Sequence, residues 1–391
     1  MSVAVVGIGI HPFGRFEGAT GLDLGAFAIR QALADAGLAW DDMQFAFGGS
    51  LAGSLPGSEE SSQADALVSQ LGLTGLPFTN VHNGCATAGS TLAMGVALIE
   101  SGAFDLGVCV GFDKHPRGHF NAKPEQTGLP HWYGELGFMV TTQFFGMKIN
   151  RYMHDFGISR ATLARVAAKS YRNGAINPNA WRRKPFNEEE ILESRMLNYP
   201  LTQYMFCSPN EGAAAVVLCR GERARELTER PVHLRAVTTC TRRWGSFEVF
   251  APWLSIERGH APTLDAATAC FEQAGIEPGD VDVAQVQDSE SGAEVMHLSE
   301  TGLCADGEQE ELIQAGETEI GGRLPVNTDG GLIANGEPIG ASGMRQVCET
   351  VLQLRGDAGE RQVPNDPEIG FTQVYGAPGV SCCTLLTVEK G

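Results

Sequence analysis

The chain of 391 residues is 43% apolar and 19% charged, with 49 Gly and 19 Pro, the balance of a folded globular protein and not of a disordered or fibrous one. Lys and Arg number 28 against 47 Asp and Glu, and a net charge of −19 argues against a phosphate-tracking surface and so against nucleic acid as a partner. No apolar run approaches the ~20 residues of a bilayer span, and the start, MSVAVVGIGIHPFG, has no basic segment ahead of its apolar stretch, so the expected location is the cytoplasm.

The first segments alternate strand and helix. Residues 3–10 are apolar and β-branched, residues 22–38 have helical spacing and end on the helix stop Ala36-Gly37, and residues 45–50 form a short strand. A Ser- and Glu-rich helix opening near Ser58, a strand over 77–81, an Ala- and Gly-rich helix over 85–101 and a strand over 104–111 continue the series. Strand–helix–strand repetition predicts an α/β protein whose sheet is mostly parallel and covered by helices. Residues 112–205 break the rhythm with aromatic loops such as His131-Trp132-Tyr133 and helical stretches over 142–156 and 159–173. A long elaboration on a regular scaffold serves either as a substrate-lining lid or as an oligomer contact.

The second half repeats the phrase. A helix over 263–276 ends at Ala274-Gly275, and Asp280 stands five residues past that Gly as Asp42 stands five past Gly37. Residues 281–286 form a strand, and Gly-rich residues 321–343 lead into a helix over 343–354 and a last strand over 369–375. Two similar halves follow, 1–230 and 231–391, with 112–205 inserted in the first. Ten Cys are scattered without a C-x-x-C unit, which argues against a disulfide framework and a zinc knuckle. His115 and His119 are separated by Pro116 and Gly118, which keep them off a shared helix face, so no metal is expected.

Cys85 lies in Val81-His82-Asn83-Gly84-Cys85-Ala86-Thr87-Ala88-Gly89-Ser90, a strand, a tight Gly turn and a helix start. At a helix N-terminus, exposed amides and the helix dipole favour thiolate over thiol, the usual way to make a Cys nucleophilic near neutral pH. The other reading of the spacing is a small buried Cys in an Ala-rich helix. Farther on, Gly336-Glu337-Pro338-Ile339-Gly340-Ala341-Ser342-Gly343 ends a glycine-ordered loop before a helix, without the Lys and Ser/Thr of a phosphate-binding loop. Glu337 is a carboxylate on a rigid turn, either a general base or a solvated loop charge.

Residues 81–90 resemble the nucleophile segment of thiolases, and residues 336–343 resemble their Gly-His-Pro-Leu-Gly-Ala-(Ser/Thr)-Gly motif. Asn177-Pro178-Asn179-Ala180 and Cys207-Ser208-Pro209-Asn210-Glu211-Gly212-Ala213-Ala214-Ala215 are similar to segments closing the first half in the lipid-transfer-protein, sterol-carrier-type branch. The likeness runs nearly end to end. It implies the α/β thiolase fold of two similar α-β-α-β-α halves, a homodimeric core, and C–C bond making or breaking beside a CoA thioester. Coenzyme A would be a co-substrate, with no covalently bound cofactor. The resemblance makes Cys85 the acyl-accepting nucleophile. Three positions depart from the pattern. The His of Gly-His-Pro is Glu337, the oxyanion-side segment reads Gln287-Asp288-Ser289-Glu290, and the C-terminal Cys-x-Gly-Gly-Gly-x-Gly reads Gln373-Val374-Tyr375-Gly376-Ala377-Pro378-Gly379, which puts Gln373 at the second catalytic Cys.

Gln287 keeps an N–H for an oxyanion. An ionised Glu337 cannot donate, so it acts as a base or, with burial raising its pKa, as a neutral acid. Without the second Cys, a leaving enolate takes its proton from Glu337, Tyr375 or water; Tyr375 is otherwise an aromatic packing the last strand. Retention of Cys85 favours thiolysis of a 3-oxoacyl-CoA through an acyl-enzyme. Loss of the His and second Cys favours retro-aldol cleavage of a 3-hydroxyacyl-CoA, and a non-catalytic acyl-CoA- or lipid-binding subunit is the third reading. The weight falls on thiolysis. The aromatic insertion points to a bulky acyl group, steroid or aryl, and the resemblance adds a small OB-fold and zinc-ribbon partner subunit. For CoA phosphates the basic clusters Arg182-Arg183-Lys184 and Arg242-Arg243 stand out, against a reading as solvated surface charge, with Trp181 or Trp244 to stack on adenine. Asp288, Gly340, Ser342 and Gly376 complete the expected acyl-CoA-binding set.

Overall fold

The repeat in the sequence is a repeat of helix stops. In the computed structural model, which describes residues 2–51, 63–117, 131–137, 141–243, 261–376 and 379–388, the first half runs β1 (Val3–Gly14), α1 (Gly21–Asp35), β2 (Phe45–Gly49), β3 (Phe78–Asn80), α2 (Thr87–Glu100) and β4 (Leu106–Lys114). The expected helix start near Ser58, His119, Trp244, Ala377 and Pro378 lie outside the described residues. After α3 (Thr141–Phe156), α4 (Arg160–Ala175) and the small hairpin β5 (Met196–Asn198) and β6 (Leu201–Thr202), β7 (Glu211–Arg220) closes that half. The second half runs β8 (Val232–Thr241), α5 (Pro262–Ala274), β9 (Val283–Gln285), α6 (Ser291–Glu300), α7 (Gly331–Asn335), α8 (Ile339–Arg355), β10 (Ile369–Gly376) and β11 (Val380–Val388).

α1 is followed by Gly37 at φ +66° and α5 by Gly275 at φ +67°, and in each case the next amide reaches back to the helix: Leu38 to Leu33 O at 2.9 Å, Ile276 to Phe271 O at 3.3 Å. Beyond each stop one Asp caps a single 3-10 turn. Asp42 Oδ2 accepts from the Ala39 amide at 2.8 Å and Asp280 Oδ2 from the Glu277 amide at 3.1 Å. The matched Asp spacing is therefore a matched turn.

Nine strands form one sheet in the order β3-β2-β4-β7-β1-β8-β11-β10-β9. The halves meet at β1 and β8, and the pattern is similar from either end: parallel outer strands, then antiparallel ones. Val326 bridges Ala284 of β9 where, in the first half, Phe78 of β3 pairs with Ala46 of β2. Among the described residues three pairings of this sheet are parallel and five antiparallel, which corrects the expected mostly parallel sheet to a mixed one. The reason is local. Strand–helix–strand units build only the outer strands, whereas β7 and β11 return antiparallel to close each half; β11 follows β10, the strand expected to be last, and pairs with it from Gly376 opposite Val380.

Two placements matter for the site. α2 and α8 approach through small side chains, a Cβ on Gly343 falling 3.3 Å from that of Ala88, so the first turns of both helices lie together. Cys85 precedes one and Glu337 the other. The insertion helices α3 and α4 pack on the second half, with Ile149, Tyr152, Leu163 and Tyr171 in one apolar cluster with Val295, Met296, Ile333 and Phe371. At that seam Lys169 Nζ donates to Glu294 Oε1 at 2.5 Å, and Asn327 Nδ2 to Glu294 Oε2 at 2.7 Å, all three buried. A buried pair with satisfied partners sets register more than it adds stability. No described helix is long and apolar enough to cross a membrane.

Candidate active site

Gly84, at φ +55°, turns the chain so that Cys85 arrives immediately before α2. Thr87 closes the turn, its Oγ1 donating to Gly84 O at 2.6 Å and accepting from the Asn83 amide at 3.0 Å. The Cys85 residue is partly exposed and stands at the positive end of α2.

Glu337 is held from three directions. Its amide donates to Ser208 O at 2.9 Å, the Ile339 amide to His115 Nε2 at 3.2 Å, and the Gly340 amide to Asp113 Oδ2. Asp113, at the end of β4, also accepts from Ser50 Oγ at 2.7 Å and the Leu51 amide at 3.1 Å. The turn is buried, with Glu337 only 3% exposed, which removes the reading as a solvated loop charge. Its Oε1 accepts from Gln287 Nε2 at 2.9 Å and its Oε2 from Cys207 Sγ at 3.2 Å, and Cys85 lies near enough to the same carboxyl to favour its charged form. Burial raises the Glu337 pKa above the usual carboxylate range; the donors Cys207, Cys85 and Gln287 and the neighbouring His115 ring oppose that rise. One carboxyl therefore holds a thiol and an amide by hydrogen bonds, with the Cys85 side chain close by.

The remaining expected residues divide. Gln287 gives its amide hydrogens to Glu337 and to Ser289 Oγ at 3.2 Å, so it positions the carboxylate in this arrangement. Gln373, at the position of the family's second Cys, is a connector: Oε1 accepts from the Gln287 amide at 3.0 Å, and Nε2 donates to Thr263 Oγ1 and Ser381 Oγ at 3.2 Å each. Tyr375 is buried two residues along β10, its ring 5.3 Å from Lys148 Nζ and 5.8 Å from the His297 ring. Gly376 ends β10 directly against the nucleophile turn.

Four residues expected on the acyl-CoA are instead turned into the protein. Asp288, fully buried, accepts from the Leu332 amide at 2.6 Å and the Ile333 amide at 3.3 Å and anchors α7. Gly340 is a packing glycine, since a Cβ there would lie 2.7 Å from Gly49 O and 2.8 Å from Phe112 O. Ser342 Oγ donates to Ile339 O at 3.2 Å within α8. Arg182 Nη1 donates to Phe206 O and Ile333 O at 3.1 Å each, and Nη2 to Ser208 Oγ. Arg183 and Arg242 are exposed, and Arg243 pairs with Asp265 at 2.8 Å. Two residues of the site escaped the sequence reading: Cys207, present only inside a quoted family segment, and His115, weighed only as half of a metal pair.

A Cβ added at Gly376 would lie 2.8 Å from Ala86 N and 3.0 Å from Cys85 N, both backbone atoms that cannot swing away. Gly376→Ala is expected to displace the nucleophile turn and to cost about 1–3 kcal/mol, the usual effect of overpacking. A urea midpoint and the rate of Cys85 alkylation by iodoacetamide, both lower than wild type, would register it. An unchanged alkylation rate would mean that the turn has slack.

Two family matches cover most of the chain: "Thiolase, N-terminal domain" over residues 3–192 and "Thiolase C-terminal domain-like" over 259–388. The chain belongs to the thiolase superfamily, in its lipid-transfer, sterol-carrier-type branch. It is 31% identical to sterol carrier protein 2 of Oryctolagus cuniculus, over 98% of this chain and 71% of that protein. It is 32% identical to an acetyl-CoA acetyltransferase of Methanothermobacter thermautotrophicus, over 96% and 97% of the two chains. The benzoylsuccinyl-CoA thiolase subunit BbsB of Thauera aromatica is 29% identical over 96% of this chain and 94% of its own. Among solved structures, a chain of the Ltp2-ChsH2(DUF35) aldolase superposes with a TM-score of 0.85 at 25% identity, covering 100% of this chain and 98% of that one.

Proposed function

We propose that the protein is a CoA-dependent thiolase that cleaves a bulky 3-oxoacyl-CoA through an acyl-enzyme on Cys85. The observation that carries this reading is a placement: Cys85, just ahead of α2, lies close enough to the buried Glu337 carboxyl to bear on its ionisation. Glu337 takes the thiol proton as the sulfur adds to the 3-keto carbon. The C2–C3 bond then breaks, leaving the acyl group on sulfur, and the departing CoA-thioester enolate takes the proton back from Glu337 at carbon. In the second half-reaction free CoA gives its thiol proton to Glu337, its sulfur displaces Cys85 from the acyl group, and Glu337 returns the proton to Cys85. One carboxyl thus does the work that the family divides between a His and a second Cys, and Gln287 holds it in line. The names of two similar proteins, one a thiolase subunit and one an aldolase with two named components, support a partner subunit here.

A retro-aldol reading is favoured by one observation. Tyr375, whose ring carries Lys148 over its face, is one residue before Gly376, which packs on the Cys85 turn, and a phenol on that strand would serve as the acid or base for a 3-hydroxyacyl-CoA. Peptide mass spectrometry separates the two. With a 3-oxoacyl-CoA and no free CoA, thiolysis leaves an acyl adduct on the Cys85 peptide that free CoA removes. Cleavage of a 3-hydroxyacyl-CoA with no adduct overturns thiolysis in favour of the aldolase. Inertness toward both series, with any co-purifying subunit kept, leaves an acyl-CoA-binding subunit.

A further inference from the structure

Cys207 takes no part in the steps above, yet its place is closely built. Its amide donates to Ser289 O at 3.0 Å, and Arg182 fastens the chain on either side of it through Phe206 O and Ser208 Oγ. The next link returns to the site: Ser208 O accepts from the Glu337 amide at 2.9 Å, and Pro209 pairs with Glu337 as a bridge. Cys207 is 8% exposed, and its Sγ donates to Glu337 Oε2 at 3.2 Å while Gln287 occupies Oε1. Both carboxylate oxygens therefore have a donor.

We propose that Cys207 is a positioning residue for proton transfer at Cys85: the S–H it keeps on Glu337 Oε2 holds that carboxylate charged and in place to receive the Cys85 proton. The inference rests on reading Glu337 as the base. Its sign follows from burial. A desolvated carboxylate favours its neutral form, and each donor to it favours the charged one. Burial first, and then the Glu337 charge, keep the proton on the Cys207 sulfur, so the group stays a donor while Glu337 titrates. Among the described residues, the other titratable and charged groups that bear on the pair include the Cys85 thiol before α2, His115 after β4 with Asp113 Oδ2 3.2 Å from its Nε2, and Asp288 and Arg182 toward Cys207.

The test is the pH dependence of Cys85 alkylation by iodoacetamide, read on the Cys85 peptide in Cys207→Val, Cys207→Ser and the wild-type protein. Alkylation needs no acyl-CoA, so it is independent of which cleavage the protein performs. Valine loses the donor and adds about one methyl group. The acid limb of the profile is expected to move upward by about one pH unit, a tenfold slower reaction on that limb. Serine, which still donates, returns the limb to within about twofold of wild type. Coincident profiles for wild type and Cys207→Val overturn the role, as does a Cys207→Ser profile that follows the valine variant. If Cys207→Val fails to fold by its urea transition, Cys207→Ala reads the same limb. A failed acyl-adduct experiment combined with a shifted limb would reject thiolysis and leave Cys207 where it is placed here.

Discussion

Cys85→Ser is expected to abolish the acyl adduct and to lower thiolysis by about 10⁴-fold or more, the scale on which removal of a covalent nucleophile acts. The size follows from chemistry at one atom. A thiol is a far stronger acid and a better nucleophile than a serine hydroxyl, and a carboxylate is too weak a base to draw the hydroxyl's proton in the ground state. Geometry should survive, because the residue is partly exposed and Gly84, Thr87 and Asn83 form the turn without its side chain. The variant is therefore expected to keep the wild-type urea midpoint and to bind the acyl-CoA. Steady-state rates with the adduct assay check the first part, and a titration with a 3-oxoacyl-CoA checks the second. A serine variant that cleaves at the wild-type rate would remove Cys85 from the reaction and turn attention to Tyr375.

Much of this was readable from residues, and the division between what was and what was not is physical. Local signals carried the paired helix stops at Gly37 and Gly275 and the nucleophile turn, because capping and positive-φ glycine leave marks within a few residues. β7 and β11 left none. Both are buried along most of their length, Gly212–Cys219 in one and Val380–Leu386 in the other, so neither shows the alternation that marks a half-buried strand. The site divides the same way. Cys85 and Glu337 each sit in a motif, and the meeting of α2 and α8 through Ala88 and Gly343 brings them together. Cys207 lies 130 residues from Glu337 in the chain, and only the folded loop before β7 delivers its thiol. Arg182 shows the converse error: a basic cluster suggested a phosphate, while the guanidinium spends its donors on carbonyls of the two loops that frame the site. Charge in a sequence records composition, and its use depends on which carbonyls the fold leaves unpaired nearby.

Glu337→Gln is expected to lower thiolysis by about 10²- to 10⁴-fold, the range for loss of a positioned acid–base group. The substitution keeps the volume and a carbonyl oxygen for Gln287, but its amide cannot take a proton, so both the activation of Cys85 and the protonation of the leaving enolate lose their agent. The pH profile separates this from a structural effect. In the wild type the base is the ionised form, so the rate rises with pH through the Glu337 pKa, and burial places that limb above the ordinary 4.5 of a glutamate. In the glutamine variant that limb disappears. Glu337→His restores the residue of the family motif and can again accept and return a proton. It is expected to recover part of the lost rate, with an acid limb set by an imidazole near pH ~6.5. A glutamine variant whose profile keeps the wild-type limb would mean that another group, with His115 the first candidate, is the base, and that Glu337 acts only through its position.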